Sequence, residues 1–193
     1  HIAIVGGERV RIQLADDLKE ERSHSVSLSA DLYHTFGKVQ TNLLVEGFYT
    51  ILDDVFALRD MDDAADGGKV KERYNGSGAT VRGFNVEGRA AFTRWFELQA
   101  GVTLQQSRYK EPEYWSEDAE VPPVRRMFRT PDAYGYFTAS FKPVRNFTAD
   151  LSGTCTGSML VQHMAGSGVG QDVAVSTPSF FDMNIRLSYD VRI

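Results

Sequence analysis

The sequence is poor in most of what an enzyme or a nucleic-acid binder is built from. Its one cysteine, Cys155, rules out an internal disulfide and any cysteine zinc site. Four histidines, His1, His24, His34 and His163, are dispersed with no metal-ligand spacing. No serine sits in a nucleophile elbow, and no acid–base pair stands out, so neither catalysis nor a cofactor is expected. A net charge of -5, with no long Lys/Arg run, argues against nucleic acid as a partner. There is no apolar run of about 18 residues and hence no transmembrane helix. No long segment repeats its apolar residues every 3.6 positions either, so almost no helix is expected. The 193 residues suffice for one domain or for part of a larger one. The start at His1, without methionine or leader, points to processing or to a piece of something longer.

What the sequence has is alternation. In RSHSVSLSADLYHTFG (Arg22 to Gly37), Val26, Leu28, Ala30 and Leu32 fall on one side, and Ser25, Ser27, Ser29, Asp31 and Tyr33 on the other. Strands, whose successive side chains point to opposite faces, produce this pattern. It recurs in KVQTNLLVEGFYTIL, with Leu44, Phe48 and Leu52 as exceptions, and in TVRGFNVEGRAAF, FELQAGVTLQQ, DAYGYFTASFK, FTADLSGTCTGSM and FFDMNIRLSYDV. A shorter alternation, ERVRIQL, is a candidate eighth strand. These stretches are roughly twice the ~5–6 residues usual in globular proteins. They reach the ~9–11 residues that a tilted strand needs to cross a bilayer.

The connections alternate short and long. Tight turns at Phe36-Gly37-Lys38, Thr93-Arg94-Trp95 and Pro143–Asn146 alternate with long links near 53–79, 107–130 and 161–179. All short connections therefore fall at one rim, as in outer-membrane barrels with short periplasmic turns and long extracellular loops. Phe36, Trp95, Phe96, Phe141 and Phe147 flank the tight turns, while Tyr49 and Phe181 lie toward the long links. Aromatic girdles occupy such places.

Alternation alone does not separate a soluble sandwich from a membrane barrel. In the first the apolar face packs inward; in the second it meets lipid. Two details favour the barrel. The apolar face is rich in small residues (Ala30, Gly47, Gly88, Ala100, Gly135, Ala149, Gly153), a thin filling for a sandwich core. The polar face carries ionisable and amide groups in mid-strand. The expected fold is all-β: an antiparallel up-and-down meander of seven to eight long strands, part of a transmembrane β-barrel. By parity Asp31, Glu46, Glu87, Arg89, Glu97, Asp150, Asp182 and Arg186 line its lumen, paired across strands at ~0.2–1 kcal/mol each.

Three segments carry a family resemblance. Asp17-Leu18-Lys19-Glu20-Glu21-Arg22-Ser23 resembles the N-L-K-P-E-x-S approach to a mid-barrel strand in TonB-dependent outer-membrane receptors. Asn75-Gly76-Ser77-Gly78-Ala79 through Gly88 is similar to the same family's N-x-G-x-A-x-x-x-G-[FV]-E-[LV]-E strand, with Asn85 at the usual first acid. Arg129-Thr130-Pro131-Asp132-Ala133-Tyr134 is similar to an R-x-P-x-x strand entry. The resemblance implies energy-coupled import of a bulky ligand, such as a ferric siderophore, haem or cobalamin, across the outer membrane of a Gram-negative bacterium. It implies as partners outer-membrane lipid, the plug domain of the same receptor and, through that plug, the TonB complex. Residues 1–193 are then expected to be a partial barrel domain from its C-terminal half, without plug, TonB box or final strands.

The acidic, aromatic link from Tyr109 to Phe128 is the best candidate for ligand contact. Tyr114 and Trp115 suit stacking; Arg125, Arg126 and Arg129 suit an anionic chelate or carboxylates; His163 opens a glycine-rich link. Glu111, Glu113, Glu117, Asp118 and Glu120 lack the spaced Asp/Asn-Gly pattern of a calcium loop, so no metal site is expected. Two other readings remain open: a passive porin-like barrel, and a soluble all-β adhesin or binding module.

Overall fold

The structure, a computed structural model, describes residues 2–5, 8–61, 69–116, 118, 120–163, 165 and 169–191. Its regular elements are all strands: β1 (Ile2–Val5), β2 (Glu8–Leu14), β3 (Arg22–Phe36), β4 (Val39–Asp53), β5 (Phe56–Met61), β6 (Lys69–Asn75), β7 (Ala79–Thr93), β8 (Phe96–Glu113), β9 (Val124–Arg126), β10 (Ala133–Val144), β11 (Phe147–Thr156), β12 (Leu160–His163), β13 (Val173–Ser176) and β14 (Phe180–Tyr189). The seven long alternating stretches form one sheet in the order β14-β11-β10-β8-β7-β4-β3, with β9 beside β8. This is the expected up-and-down meander.

Register turns each strand's alternation into rows that run across the sheet. Leu98, Ala139, Leu151 and Ile185 stand opposite one another on β8, β10, β11 and β14. One residue along, Glu97, Ser140, Asp150 and Arg186 form the adjoining row on the other face. The four apolar residues are thus neighbours within one layer, not partners across two. The apolar face is bare: Leu28 is 82% exposed, Phe84 64% and Ile185 71%. Among the described residues the only buried apolar side chains are those of Ala15, Val70 and Ala79, none on that face of the main sheet. A sandwich core of this length would bury several large side chains, at about 1.5–3 kcal/mol each. The soluble-sandwich architecture is therefore overturned.

Rings lie across some of the small residues on this wall. A side chain at Gly153 would meet Phe137 and Phe181 at 2.5 and 2.7 Å, and those two rings stack with centroids 6.3 Å apart. The tight-turn rim carries the expected aromatic cluster, with Trp95 edge-on to Phe141 at 5.2 Å and Phe92 stacked on Phe96 at 5.5 Å.

The tight turns leave only Gly37-Lys38, Arg94-Trp95 and Arg145-Asn146 between strands. Gly37 has φ of 62° at the first central position, where a II′ hairpin turn takes glycine. The β10–β11 ladder shifts register between Phe141 and Val144, around Pro143, which has no N–H to give it.

The long links differ from the expectation of plain loops. The first contains the β5–β6 hairpin, the second the far end of β8 with β9, and the third the antiparallel β12–β13 pair. ERVRIQL is a strand, β2, but not one of the meander. It lies in a separate sheet of order β1-β2-β6-β5 and runs parallel to β6. By contact density the chain divides into a unit of residues 1–25, 50–80 and 108–126, which holds this small sheet, and a unit of residues 26–49, 81–107 and 127–193.

The face assignment is open to test in the intact protein. Val102→Lys places a charge on the apolar face near mid-strand and is expected to cost roughly 2–4 kcal/mol in denaturant unfolding of the membrane-inserted barrel. Ser29→Lys, on the polar face, is expected to be mild. Equal losses would remove the assignment.

Candidate functional site

The polar face of the main sheet carries several separate hydrogen-bonded clusters. Arg89 holds Glu97 through two parallel bonds, Nε to Oε1 at 2.7 Å and Nη2 to Oε2 at 2.9 Å. Glu87 accepts from Gln99 Nε2 at 2.8 Å and from the Tyr136 hydroxyl, and the Tyr136 ring lies over Gly101. Asn85 joins three strands, donating to Glu46 at 3.0 Å and accepting from Thr103 at 2.8 Å. Asp31 accepts from Asn42 and, at 2.9 Å, from Tyr33. Asp150 accepts from Ser140 at 2.7 Å and stands opposite Arg186, while Asp182 stands opposite Thr154. The eight ionisable residues chosen by parity therefore share one face with their donors. Six are acids and two are bases, so the face is acidic. It can hold a donor-rich or cationic surface against it.

The unit with the small sheet is organised by Asn75. Its Oδ1 accepts from Lys19 N at 2.6 Å, and its Nδ2 donates to the carbonyls of Lys19 at 3.0 Å and Asp54 at 2.7 Å. Glu21 Oε1 accepts from Phe56 N at 2.8 Å beside it. Gly78, at φ 85°, lets the chain turn into β7; a Cβ there would stand 2.3 Å from the Leu52 carbonyl oxygen. Lys110 donates to Asp53, and that bond holds the Asp53 carboxyl below the usual range. Burial opposes the shift, and the charges of Lys110, His24 and Arg22 add to it. Burial alone raises Glu113, and burial with the nearby Glu113 charge raises Tyr74.

The six loop candidates divide between the units. Tyr114, 77% exposed, and half-buried Trp115 follow β8, while Arg125 and Arg126 lie on β9 in the same unit. Arg125 donates to the Lys110 carbonyl at 3.3 Å, and Arg126 stands opposite Arg108. In the other unit Arg129 has φ of 56° and donates its N–H to the Leu160 carbonyl at 2.7 Å, and exposed His163 ends β12. Glu117 and residues 164 and 166–168 of the glycine-rich link lie outside the described residues. Parity missed the Arg59–Glu72 ion pair and the Arg59 guanidinium 5.0 Å over the Tyr74 ring, because these pairings depend on the β5–β6 hairpin.

A profile of the family described as TonB dependent receptor-like, beta-barrel, matches residues 4–193. The chain belongs to this family. No curated protein matches it. Among solved structures it is similar to the ferric-catecholate import receptor Fiu of Escherichia coli K12, at 15% identity over 92% of this chain and 22% of that one, TM-score 0.62. It is similar to the copper transporter OprC at 11% identity, over 92% of this chain and 24% of that one, TM-score 0.60. It is also similar to the FrpB iron transporter of Neisseria meningitidis at 13% identity, over 95% of this chain and 26% of that one, TM-score 0.57. Identities this low speak to the fold alone. The chain spans about a quarter of the length of these transporters.

Asn75 opens one of the segments that carry the family resemblance and grips Lys19 of another, so two segments far apart in sequence are joined by a side-chain amide that mimics a peptide group. Asn75→Ala is expected to lower the stability of the intact receptor by roughly 1–3 kcal/mol. The expected readout is a lower thermal midpoint with faster amide exchange at Lys19; unchanged values would deny the clamp its role. The Asp53–Lys110 pair carries a pH dependence. A lowered carboxyl stabilises the fold above its unfolded value, and that contribution is lost as pH falls through the folded value. Acidification is therefore expected to speed exchange of the Lys110 amide, which donates to the Gly78 carbonyl at 3.1 Å. Lys110→Met should remove that step, and persistence of the step would assign it to another group.

Proposed function

We propose that the chain is a wall segment of an energy-coupled importer in the outer membrane of a Gram-negative bacterium. Its apolar face meets lipid and its acidic, hydrogen-bonded face lines the lumen against a plug domain. The rest of the receptor supplies the remaining strands, the plug and the contact with TonB. The observation that carries this reading is a seven-strand sheet of family membership with one bare apolar face and one face of internally bonded ionisable groups. The reported solved structures are named as a ferric-catecholate import receptor, a copper transporter and an iron transporter, which supports a metal or metal chelate as ligand. Haem and cobalamin are the other ligands in keeping with the family resemblance.

Ligand contact falls to the long-link side. Tyr114 offers an exposed ring, and Arg125 and Arg126 offer guanidinium groups matched to catecholate or carboxylate oxygens. Arg129 and His163, in the other unit, are separate candidates for ligand contact. The β9 arginines are the sharper choice, since the short strand fixes their backbone beside β8.

Uptake of an iron-labelled catecholate chelate by cells carrying the intact receptor tests the reading. Uptake is expected to stop when a protonophore collapses the proton gradient. The double variant Arg125→Ala/Arg126→Ala is expected to weaken binding by about ten- to a hundredfold, the worth of a charge-assisted hydrogen bond or two. Uptake indifferent to the protonophore would instead favour the passive porin-like barrel.

A further inference from the structure

The outward, apolar face of the main sheet is not uniform along the strands. From the tight-turn rim upward, β7 and β8 present Phe92, Ala90, Gly88, Val86 and Phe84, and Phe96, Leu98, Ala100, Val102 and Leu104. The next outward positions are Arg82 and Gln106, with Tyr49 at the matching height on β4. That height is reached within the ~9–11 residues in which a tilted strand crosses the hydrocarbon. The polar groups thus stand where the outer-leaflet headgroups begin. Arg82 Nη2 donates to Gln106 Oε1 at 2.8 Å, which holds the guanidinium in place on the wall.

Directly beneath them lies a depression of about 640 Å³ in the same unit. Val26, Leu28, Gly47, Tyr49, Phe84 and Leu104 of the apolar face line it, together with Phe48, Gly83 and Gln105 of the other parity. Gly47 leaves room at its place in the lining: a Cβ there would already touch the Phe84 ring at 3.4 Å. Leu28 and Phe84 stand open to the surroundings on either side. Asp132, the one carboxylate of the rim, lies at the start of β10, where its carbonyl accepts from Gln105 N at 2.8 Å. Its parity is that of Gln105, the opposite face from Arg82.

We propose that this groove seats one lipid of the outer leaflet, with an acyl chain along Gly47 and a phosphate-bearing headgroup on Arg82 and Gln106. The inference rests on the reading that the apolar face meets hydrocarbon, and it adds a single defined occupant with acidic headgroup chemistry. Three observations converge on that occupant. The groove continues the lipid-facing wall. It is apolar below and ends in a cation at headgroup height. The cation is a guanidinium, whose fork suits phosphate oxygens and whose five N–H donors exceed what Gln106 takes up. A zwitterionic lipid fills the groove equally well but gains less from the guanidinium.

The test uses the intact receptor in nanodiscs of phosphatidylcholine with a minor fraction of phosphatidylglycerol, and counts by native mass spectrometry the lipids retained on release. The wild type is expected to retain phosphatidylglycerol about fivefold above its share, the worth of one interfacial basic residue. Arg82→Gln should bring retention to parity with phosphatidylcholine, and Arg82→Lys should keep part of the preference. Gly47→Leu fills that room and should lower retention of both lipids alike. The same enrichment in Arg82→Gln as in the wild type, or none in either, would overturn the headgroup site. Unchanged retention in Gly47→Leu would overturn the groove as the acyl seat. A wild-type receptor that fails to enter the nanodisc would overturn the lipid-facing assignment itself, and the site with it.

Discussion

Register across the main sheet is the constraint on which the rest depends. A slip of one residue in any long strand would exchange its two faces. On β11 it would carry Asp150 to the side of Leu187 and Ile185, and Leu151 to the side of Arg186 and Asn184. Where such a sheet crosses a bilayer, no water is present to relieve either error, nor to satisfy a broken backbone ladder. The two-residue turns hold the register at one rim. The bulge at Pro143 absorbs the one position at which the ladder cannot be kept. At the other end of β4 and β7, Gly78 against the Leu52 carbonyl and Asn75 against Lys19 do comparable work.

The polar face follows from the same constraint. Its carboxylates do not wait for solvent: Glu87, Glu46 and Asp31 are met by amides and hydroxyls of neighbouring strands, and Glu97 by a forked guanidinium. Such bonds are worth little each at an exposed surface, but they fix where the side chains stand. A face whose acids are already oriented presents a defined, net acidic surface to whatever packs against it. Arg186 opposite Asp150 and Arg89 on Glu97 offset only part of that charge.

The strands and their faces were legible because period-two alternation is a local property, and the chain holds almost nothing of period 3.6 to compete with it. The tight turns were legible for the same reason, with Gly37 the plainest mark. The partner of a strand is not local. ERVRIQL alternates as cleanly as any other stretch, and nothing in its residues tells that it pairs in parallel with β6 outside the meander. Small residues on the apolar face pointed toward lipid, yet Gly153 also exists to receive the rings of Phe137 and Phe181, which only register reveals. Of the loop candidates, four fall in one unit and Arg129 and His163 in the other, a division that no local pattern in the sequence marks. The family motif drew attention to Asn75, but its three bonds come from residues 19 and 54, beyond the reach of any local pattern.

The central claim is that odd and even positions of one strand face different media. Spin labels placed singly at residues 96 to 104 of β8, in the intact receptor with Cys155 replaced by serine, measure this directly through relaxation by lipid-soluble oxygen and by a water-soluble nickel chelate. The account predicts that oxygen dominates at Phe96, Leu98, Ala100, Val102 and Leu104 and falls at Glu97, Gln99, Gly101 and Thr103. Oxygen access equal at both sets, or greater at the second, would contradict it.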